Sequence, residues 1–509
     1  MLYETVLRPS IPASRRIRRE IHAMATIDAF SSASNLLAAL RQRQISASEL
    51  LEHYQKRIAS YNPQLNAIVI PNEEQARQQA SAADEAYAHG ESSLALQGLP
   101  LTFKECIEVA GLRATSGLPQ TAQYVSTQTG PVAQRILAAG AVLMGKTNVP
   151  PHMSDWQADN LIFGRTNNPW DLTRTPGGSS GGSSAALAAG LSALELGTDI
   201  AGSIRIPAAF CGLYGHRPSD TAVPRYGRKP GIPLPNPALV LGVQGPLARS
   251  ASDLQLALDV MAGPIIGEDV AWQLNLPPAR HSTLRDFRVA VLPAAAWLPV
   301  DDELSSALDD LANRLRQLGA TVQEVQPEGF ELRKYTEGYL NMLSIFMYAD
   351  LNEEERSALI SAMQHGPNPL APAQIAGLRA SAAQLIALHA LREQYRDMFR
   401  SFFKDWDILL SPATIVPAFE HQDIDSATPS RTLKVNGKPT PYEFLAIHPG
   451  IASFIGHPAT AFPWGRTRQG LPLGLQAIGP YLEDRSSIAF AGLLEQEFGG
   501  FVAPAGYVE

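Results

Sequence analysis

The chain has 509 residues, 45% hydrophobic and 18% charged, and 41 basic against 49 acidic residues leave a formal net charge of -8. This composition excludes a disordered chain, the 39 glycines lack the three-residue period of collagen, and the acidic balance argues against general nucleic-acid binding or an anionic membrane surface as partner. At roughly 150 residues per domain the length sets a prior of about three domains.

Residues 1–23 carry Arg15, Arg16, Arg18 and Arg19 without an apolar core segment, so they read as a surface arm or as sequence upstream of a start at Met24, not as a secretory signal. Two amphipathic helices are predicted from Ile27 to Tyr61, with Leu36, Leu37, Leu40 and then Leu50, Leu51, Tyr54, Ile58 at helical spacing. Ser46 or Ser48 is placed to cap the second, and Asn62-Pro63 to stop it. A strand at Ala67–Ile70 and a helix at Glu73–Ala88 follow. From Gly98 to about Gly263, short apolar runs (Leu99–Phe103, Ala141–Met144, Ala208–Tyr214) alternate with Gly/Pro/Ser turns and Ala-rich helices, the pattern of an α/β sheet flanked by helices. Further strands are predicted at Asp286–Leu292, Thr321–Val325, Asp407–Leu410, Phe454–Phe462 and Leu473–Ile478. A helix is expected near Glu303–Leu318, mostly helical chain from Leu332 to Trp406, and a turn-rich excursion over 422–440. Two cysteines, Cys106 and Cys211, form no disulfide framework and no metal-type pair, which suits a reducing compartment. No apolar run approaches the ~18 to 20 residues of a membrane span, so a soluble protein is expected.

Gly140–Thr147, GAVLMGKT, matches the P-loop pattern literally, but its inner residues are strand-like and Asn148-Val149-Pro150-Pro151 forbids the helix that should follow. Gly177–Ser184, GGSSGGSS, has the composition of a flexible linker, yet it opens the Ala-rich pattern AALAAGLSALELG and so belongs at a helix N-terminus. It also satisfies G-x-S-x-G around Ser179 and Ser180, the nucleophile elbow of α/β-hydrolases, for which His216, His365 and His457 are candidate partners. Thr198–Pro207, TDIAGSIRIP, sets Ala201 and Gly202 before Ser203, either a tight turn or a run of amides converging as an oxyanion hole. Lys104, one of only eight lysines, lies in the apolar run PLTFKECI. A buried ammonium costs several kcal/mol unless it is paired or loses its proton, and burial lowers its pKa from about 10.4 toward that of a usable base.

Together LTFKECIEVAG around Lys104, GRTNNPWDLTRTPGGSSGGSSA at 164–185 and TDIAGSIRIPAAFCGLYG at 198–215 resemble the signature region of the amidase signature family of hydrolases. AAGAVLMGKTNVP at 138–150, VQGPLARSASDLQLALDVMAGP at 243–264, DILLSPATIVPA at 407–418 and GLPLGLQAIGP at 470–480 extend the resemblance from about Ile27 to the C-terminus. It implies one large α/β fold, a central mixed twisted sheet covered by helices on both faces, and lowers the domain count to one. On that reading 24–90 holds N-terminal helices, 91–270 the signature core, 271–440 a mostly helical variable insertion and 441–509 a C-terminal core segment. It further implies Ser203 as nucleophile, Lys104 as neutral base and Ser179, after a cis peptide from Gly178, as proton bridge. The backbone amides of Ile200, Ala201, Gly202 and Ser203 would form the oxyanion hole, with Ser180, Asp199 and Arg205 orienting the loop.

The implied activity is hydrolysis of carboxamide C–N bonds through an acyl-enzyme, with no cofactor and no metal. Lys104-Glu105-Cys106 looks closer to fatty acid amide hydrolases than to the tRNA-dependent amidotransferase branch, and a cytoplasmic bacterial enzyme for apolar or aryl amides, monomer or homodimer, is expected. Carbamates (urethanes) and esters are the nearest alternatives; a Ser-His-Asp α/β-hydrolase and an amidotransferase-like subunit stand further off. Met153 and Trp156 match acyl-pocket positions but equally suit core packing. Leu332–Met347, with Tyr335, Tyr339, Met342, Phe346 and Met347, is either a second pocket wall or a core stripe. Two departures from the family pattern, Ala201 in place of a frequent Gly and YGHRPSDTAVP at 214–224, bear on specificity, and the second is expected at the site's rim.

Overall fold

A computed structural model describes residues 28–228, 240–423 and 431–508. The expectation for residues 1–23 and for Met24 lies outside them. Strands run in chain order as β1 (Ile68–Pro71), β2 (Pro100–Lys104), β3 (Val142–Thr147), β4 (Asp159–Asn160), β5 (Gly164–Arg165), β6 (Glu195–Asp199), β7 (Tyr214–Arg217), β8 (Val243–Ala248), β9 (Arg288–Val291), β10 (Thr321–Glu324), β11 (Ile408–Pro412), β12 (Thr432–Val435), β13 (Lys438–Pro441), β14 (Ala459–Arg466) and β15 (Pro472–Ile478). Eleven of them form one mixed sheet in the order β1-β3-β2-β6-β8-β7-β14-β15-β11-β9-β10. The parallel pairs are β3 with β2, β2 with β6, β11 with β9 and β9 with β10, and antiparallel pairs join the rest.

Successive strand residues face opposite sides of a sheet, and here that alternation separates two apolar cores. Leu101, Phe103, Leu194, Leu196, Val289, Val291, Ile408 and Leu410 join one cluster, against the helices Ala33–Arg41, Ala47–Leu65, Ala251–Met261 and Asp302–Gln317. Ala290 and Leu409 turn to the other, built on the helices Leu332–Met347, Ala382–Asp405 and Ile447–Ile455. The phase of P-L-T-F-K therefore assigns Thr102 and Lys104 to the face opposite Leu101 and Phe103. Glu195, Gly197 and Asp199 of β6 share that face, since Thr102 pairs with Glu195. The helix Gly181–Ala188 packs across these strands with all eight residues buried. Among the described residues no helix is long and apolar enough to cross a membrane.

Several boundaries differ from the sequence expectation. Ser46, not Ser48, caps the second helix, in a reciprocal capping box with Glu49. That helix passes Pro63 and ends at Leu65, because a proline in the last turn forfeits one hydrogen bond while the Asn62 side chain grips the amides of Ala67 and Ile68 at 2.9 Å. The run Ala208–Tyr214 is not a strand: the helix Arg205–Cys211 occupies most of it, and Gly212 at φ 73° turns the chain into β7. Phe454 and Ile455 likewise end a helix, and β14 starts only at Ala459. Short apolar runs carry no periodicity long enough to separate these outcomes. Within 422–440, β12 and β13 pair as a ribbon instead of an irregular excursion; residues 424–430 of that stretch lie outside the described set. The P-loop lookalike contributes β3, and its Lys146 is fully buried and donates to the Arg113 carbonyl.

Candidate active site

Lys104 ends β2 fully buried, and its Nζ donates to Ser179 Oγ at 2.7 Å and to Thr198 Oγ1 at 2.8 Å. Burial pushes the ammonium down to about 8, although Cys106 and Asp199 pull the other way. Ser179 sits at the N-terminal end of the helix Gly181–Ala188, after the cis Gly178-Ser179 peptide. Gly178 has no alternative there: a Cβ would lie 2.5 Å from the Asp155 carbonyl and 2.6 Å from the Gln157 nitrogen. Ser180 ties this segment to the next, its amide donating to the Ser203 carbonyl at 3.2 Å.

The loop from Ile200 to Ser203 is held by its carbonyls. Tyr339 Oη donates to Ile200 O at 3.0 Å, Trp156 Nε1 to Ala201 O at 2.9 Å, and the Ile206 amide to Gly202 O at 2.8 Å. In a planar trans peptide the C=O and the following N–H point opposite ways, so pinning the carbonyls aims the amides. The N–H groups of Ile200, Ala201 and Ser203 find no acceptor among the described residues. Gly202 is different, because its N–H donates to Asp199 Oδ1 at 2.9 Å. The fourth member of the expected oxyanion hole is thus already taken by the carboxylate that shapes the loop. Gly202 is still required as glycine, at φ 88° and with Pro449 Cγ 2.6 Å from where a Cβ would stand.

Asp199 and Arg205, both fully buried, face each other through Oδ2···Nε and Oδ1···Nη2 contacts of 3.0 Å. Burial alone would raise the Asp199 carboxyl, but the Arg205 guanidinium overrides it and holds the group at about 2. Arg205 also reaches the Pro449 carbonyl, Gln476 and Ser453, which anchors the loop to the C-terminal part of the sheet.

Ser203 opens onto a narrow cavity of about 60 Å³, small against the ~300 to 1,000 Å³ of common ligand pockets. Met153 and Trp156 line it, with Ile200, Ala201 and, from the helix Leu332–Met347, Leu340, Leu343, Ser344 and Met347. That helix therefore serves both expected roles. Positions 340, 343, 344 and 347 share one face and wall the cavity, while Tyr335, Tyr339 and Met342 lie in the core. Phe346 is half-buried against the same core. Met153 follows His152, and both adopt the left-handed backbone region, φ 57° and 53°. A larger cleft of about 750 Å³ shares no lining residue with this cavity; its Arg280 and Arg288 are paired with Asp407.

The histidine candidates fall elsewhere. His216 bonds Thr460 and Asp484, His457 the Gly479 carbonyl and His365 the Ser361 carbonyl, so none of these three completes a Ser-His-Asp arrangement with Ser179, Ser180 or Ser203. The 214–224 segment builds a buried ion cluster, Arg217 with Asp220 at 2.8 Å and Arg392 beside it, instead of a rim. Among the described residues no His, Cys, Asp and Glu cluster is disposed to hold a metal ion. Sequence reasoning missed Thr198, although it stands inside the TDIAGS motif, and Glu195, which accepts from Thr102 Oγ1 at 2.6 Å and which burial pushes up to about 8. It also missed Glu443 on the cavity wall, which no local pattern marks.

A buried amine bridged to one serine, beside a second serine on a loop of unclaimed amides, is an arrangement fit for acyl transfer. The chain belongs to the amidase family, whose model, described as Amidase, matches residues 49–487. It is 29% identical over 487 residues to a glutamyl-tRNA(Gln) amidotransferase subunit of Acinetobacter baumannii, spanning 91% of this chain and 95% of that one. A bacterial aryl acylamidase of the amidase signature enzymes matches with a TM-score of 0.78 and 26% identity, over 92% of this chain and 96% of the other. A fatty acid amide hydrolase matches with a TM-score of 0.71 over 92% and 85%, but at 21% identity that likeness is one of fold.

Proposed function

We propose that the protein is a serine amidase acting on apolar or aryl amides. The observation that carries this reading is the 2.7 Å contact between the fully buried Lys104 Nζ and Ser179 Oγ, next to a loop whose amides at Ile200, Ala201 and Ser203 are unclaimed. In its neutral form Lys104 has a lone pair for the Ser179 proton. Ser179 in turn takes the proton of Ser203 as Ser203 Oγ attacks the amide carbonyl, and the new oxyanion accepts from the three loop amides. The same proton returns through Ser179 to the departing nitrogen, which leaves as a neutral amine. Water then attacks the acyl-enzyme along the same relay.

The apolar wall of Met153, Trp156, Leu340, Leu343 and Met347 suits an apolar or aryl acyl arm, admitted as the adaptable methionines rotate aside. Being an aryl acylamidase, the structural relative at 26% identity supports the same substrate class. The competing reading, a component like the amidotransferase relatives, requires that the isolated chain hydrolyse no activated acyl substrate. Two measurements test the proposal. Fluorophosphonate labelling with peptide mapping places the adduct on Ser203, and an adduct on Ser179 overturns the nucleophile assignment. A panel of anilides, primary amides, p-nitrophenyl esters and aryl carbamates ranks anilides first by kcat/KM among the C–N substrates, and carbamates ahead of anilides overturn the substrate class.

A further inference from the structure

Glu443 is 6% exposed, lines the same cavity as Ser203, and its Oε2 is buried without a hydrogen-bond partner. A buried carboxylate oxygen with no donor is strongly disfavoured relative to water, and among the polar residues lining the cavity, Ser154, Asp155, Ser344 and Gln374 included, Glu443 is the one with such an atom. The nearby cation does not resolve it. Arg431 Nη2 is bonded to Asp155 Oδ2 at 2.9 Å, and its guanidinium stacks on the Tyr442 ring 4.2 Å away. The other Asp155 oxygen takes the Tyr442 hydroxyl at 2.5 Å and the Trp156 amide at 2.7 Å, so both Asp155 oxygens are engaged. Arg431 thus attracts two carboxyls but hydrogen-bonds Asp155, and Glu443 Oε2 is left without a hydrogen bond. Consistent with that, burial pushes the Glu443 carboxyl up to about 7, with a hydrogen bond from its own backbone and then Arg431 only partly countering.

Resting on the reading that this cavity takes the acyl arm, we propose that Glu443 is a specificity residue that selects amides whose acyl arm ends in an amino group. Leu340, Leu343 and Met347 line the cavity that Ser203 and Glu443 share, which fits an apolar spacer carrying a terminal nitrogen donor. Binding then supplies the missing donor: an ammonium or amine N–H reaches Oε2, where a methyl terminus leaves it empty. A site built to hydrogen-bond one group rejects an analogue lacking it far more strongly than an apolar pocket rejects a missing methylene, because its own buried polar atom stays unpaired.

The test uses ω-aminoacyl p-nitroanilides of graded chain length, each against its methyl-terminated isostere, with the full-length protein and with Glu443→Gln and Glu443→Leu. The expected result is an amino-to-methyl ratio of kcat/KM above one for at least one chain length. The ratio should fall by about tenfold or more in the isosteric Glu443→Gln, and invert in Glu443→Leu with kcat/KM for the methyl-terminated substrate rising. A ratio below one at every length, or one that both folded variants leave unchanged, overturns the proposal. Failure of the underlying amidase reading looks different: turnover of the methyl-terminated anilides then survives Ser203→Ala.

Discussion

Thr198→Val removes one hydroxyl from Lys104 and little else, since valine keeps the shape of threonine and Oγ1 sits 2.8 Å from Nζ. That oxygen accepts from the ammonium and so favours the charged form; losing it lowers the lysine pKa further. A hydrogen bond to a charged group contributes about 1.5 to 3 kcal/mol, which at about 1.36 kcal/mol per pKa unit is a shift of roughly one to two units. The smaller figure is expected, because Ser179 Oγ and the Thr198 carbonyl at 3.5 Å remain as acceptors. Wild-type kcat/KM for an anilide should rise with pH through a midpoint near about 8, as Lys104 becomes neutral. In Thr198→Val the midpoint moves to lower pH while the high-pH plateau falls, because a less basic amine takes the proton less readily. Rates measured from about pH 6 to about pH 10 decide the matter, with thermal melting as a check on folding. A midpoint that stays put or moves upward would refute the argument, as would a wild-type rate that is flat across that range.

Three further outcomes follow from the geometry. Asp199→Asn leaves the buried Arg205 guanidinium uncompensated and should cost about 3 to 5 kcal/mol in urea unfolding; a loss under about 1 kcal/mol contradicts the assigned role. Because the folded Asp199 carboxyl is held at about 2, below its usual 3.8, its contribution is full above pH 3.8 and is lost as pH falls through about 2, so acid unfolding at milder pH must arise elsewhere. Gly178→Ala drives a methyl onto backbone atoms 2.5 to 2.6 Å away, and should destabilise by roughly 1 to 3 kcal/mol and reduce turnover, read by melting and by anilide hydrolysis. Met347→Ala widens the cavity, so KM should fall for bulky aryl acyl groups and rise for acetyl; equal changes in both would remove Met347 from the acyl wall.

Local chemistry made much of this protein legible in its amino-acid order. The alternation of Leu101, Thr102, Phe103 and Lys104 determines which side of β2 the lysine faces, and the small residues before AALAAGLSALELG mark the helix start that carries Ser179. Nearest-neighbour periodicity and helix-end preferences suffice for both. What Lys104 meets there was decided only by the tertiary fold, since its partners stand 75 and 94 residues away. The orientation of the 200–203 amides depends on carbonyl bonds from Trp156 and Tyr339, 45 and 139 residues distant, and on Asp199 taking the Gly202 amide. The same holds for the faces of the helix Leu332–Met347: amphipathic spacing predicts two stripes, but only packing against the Ile447–Ile455 helix on one side and the open cavity on the other says which is wall and which is core. Glu443 lies at the far end of that distinction. Its meaning comes from a missing partner, and a missing partner is a property of three-dimensional surroundings that no sequence pattern encodes.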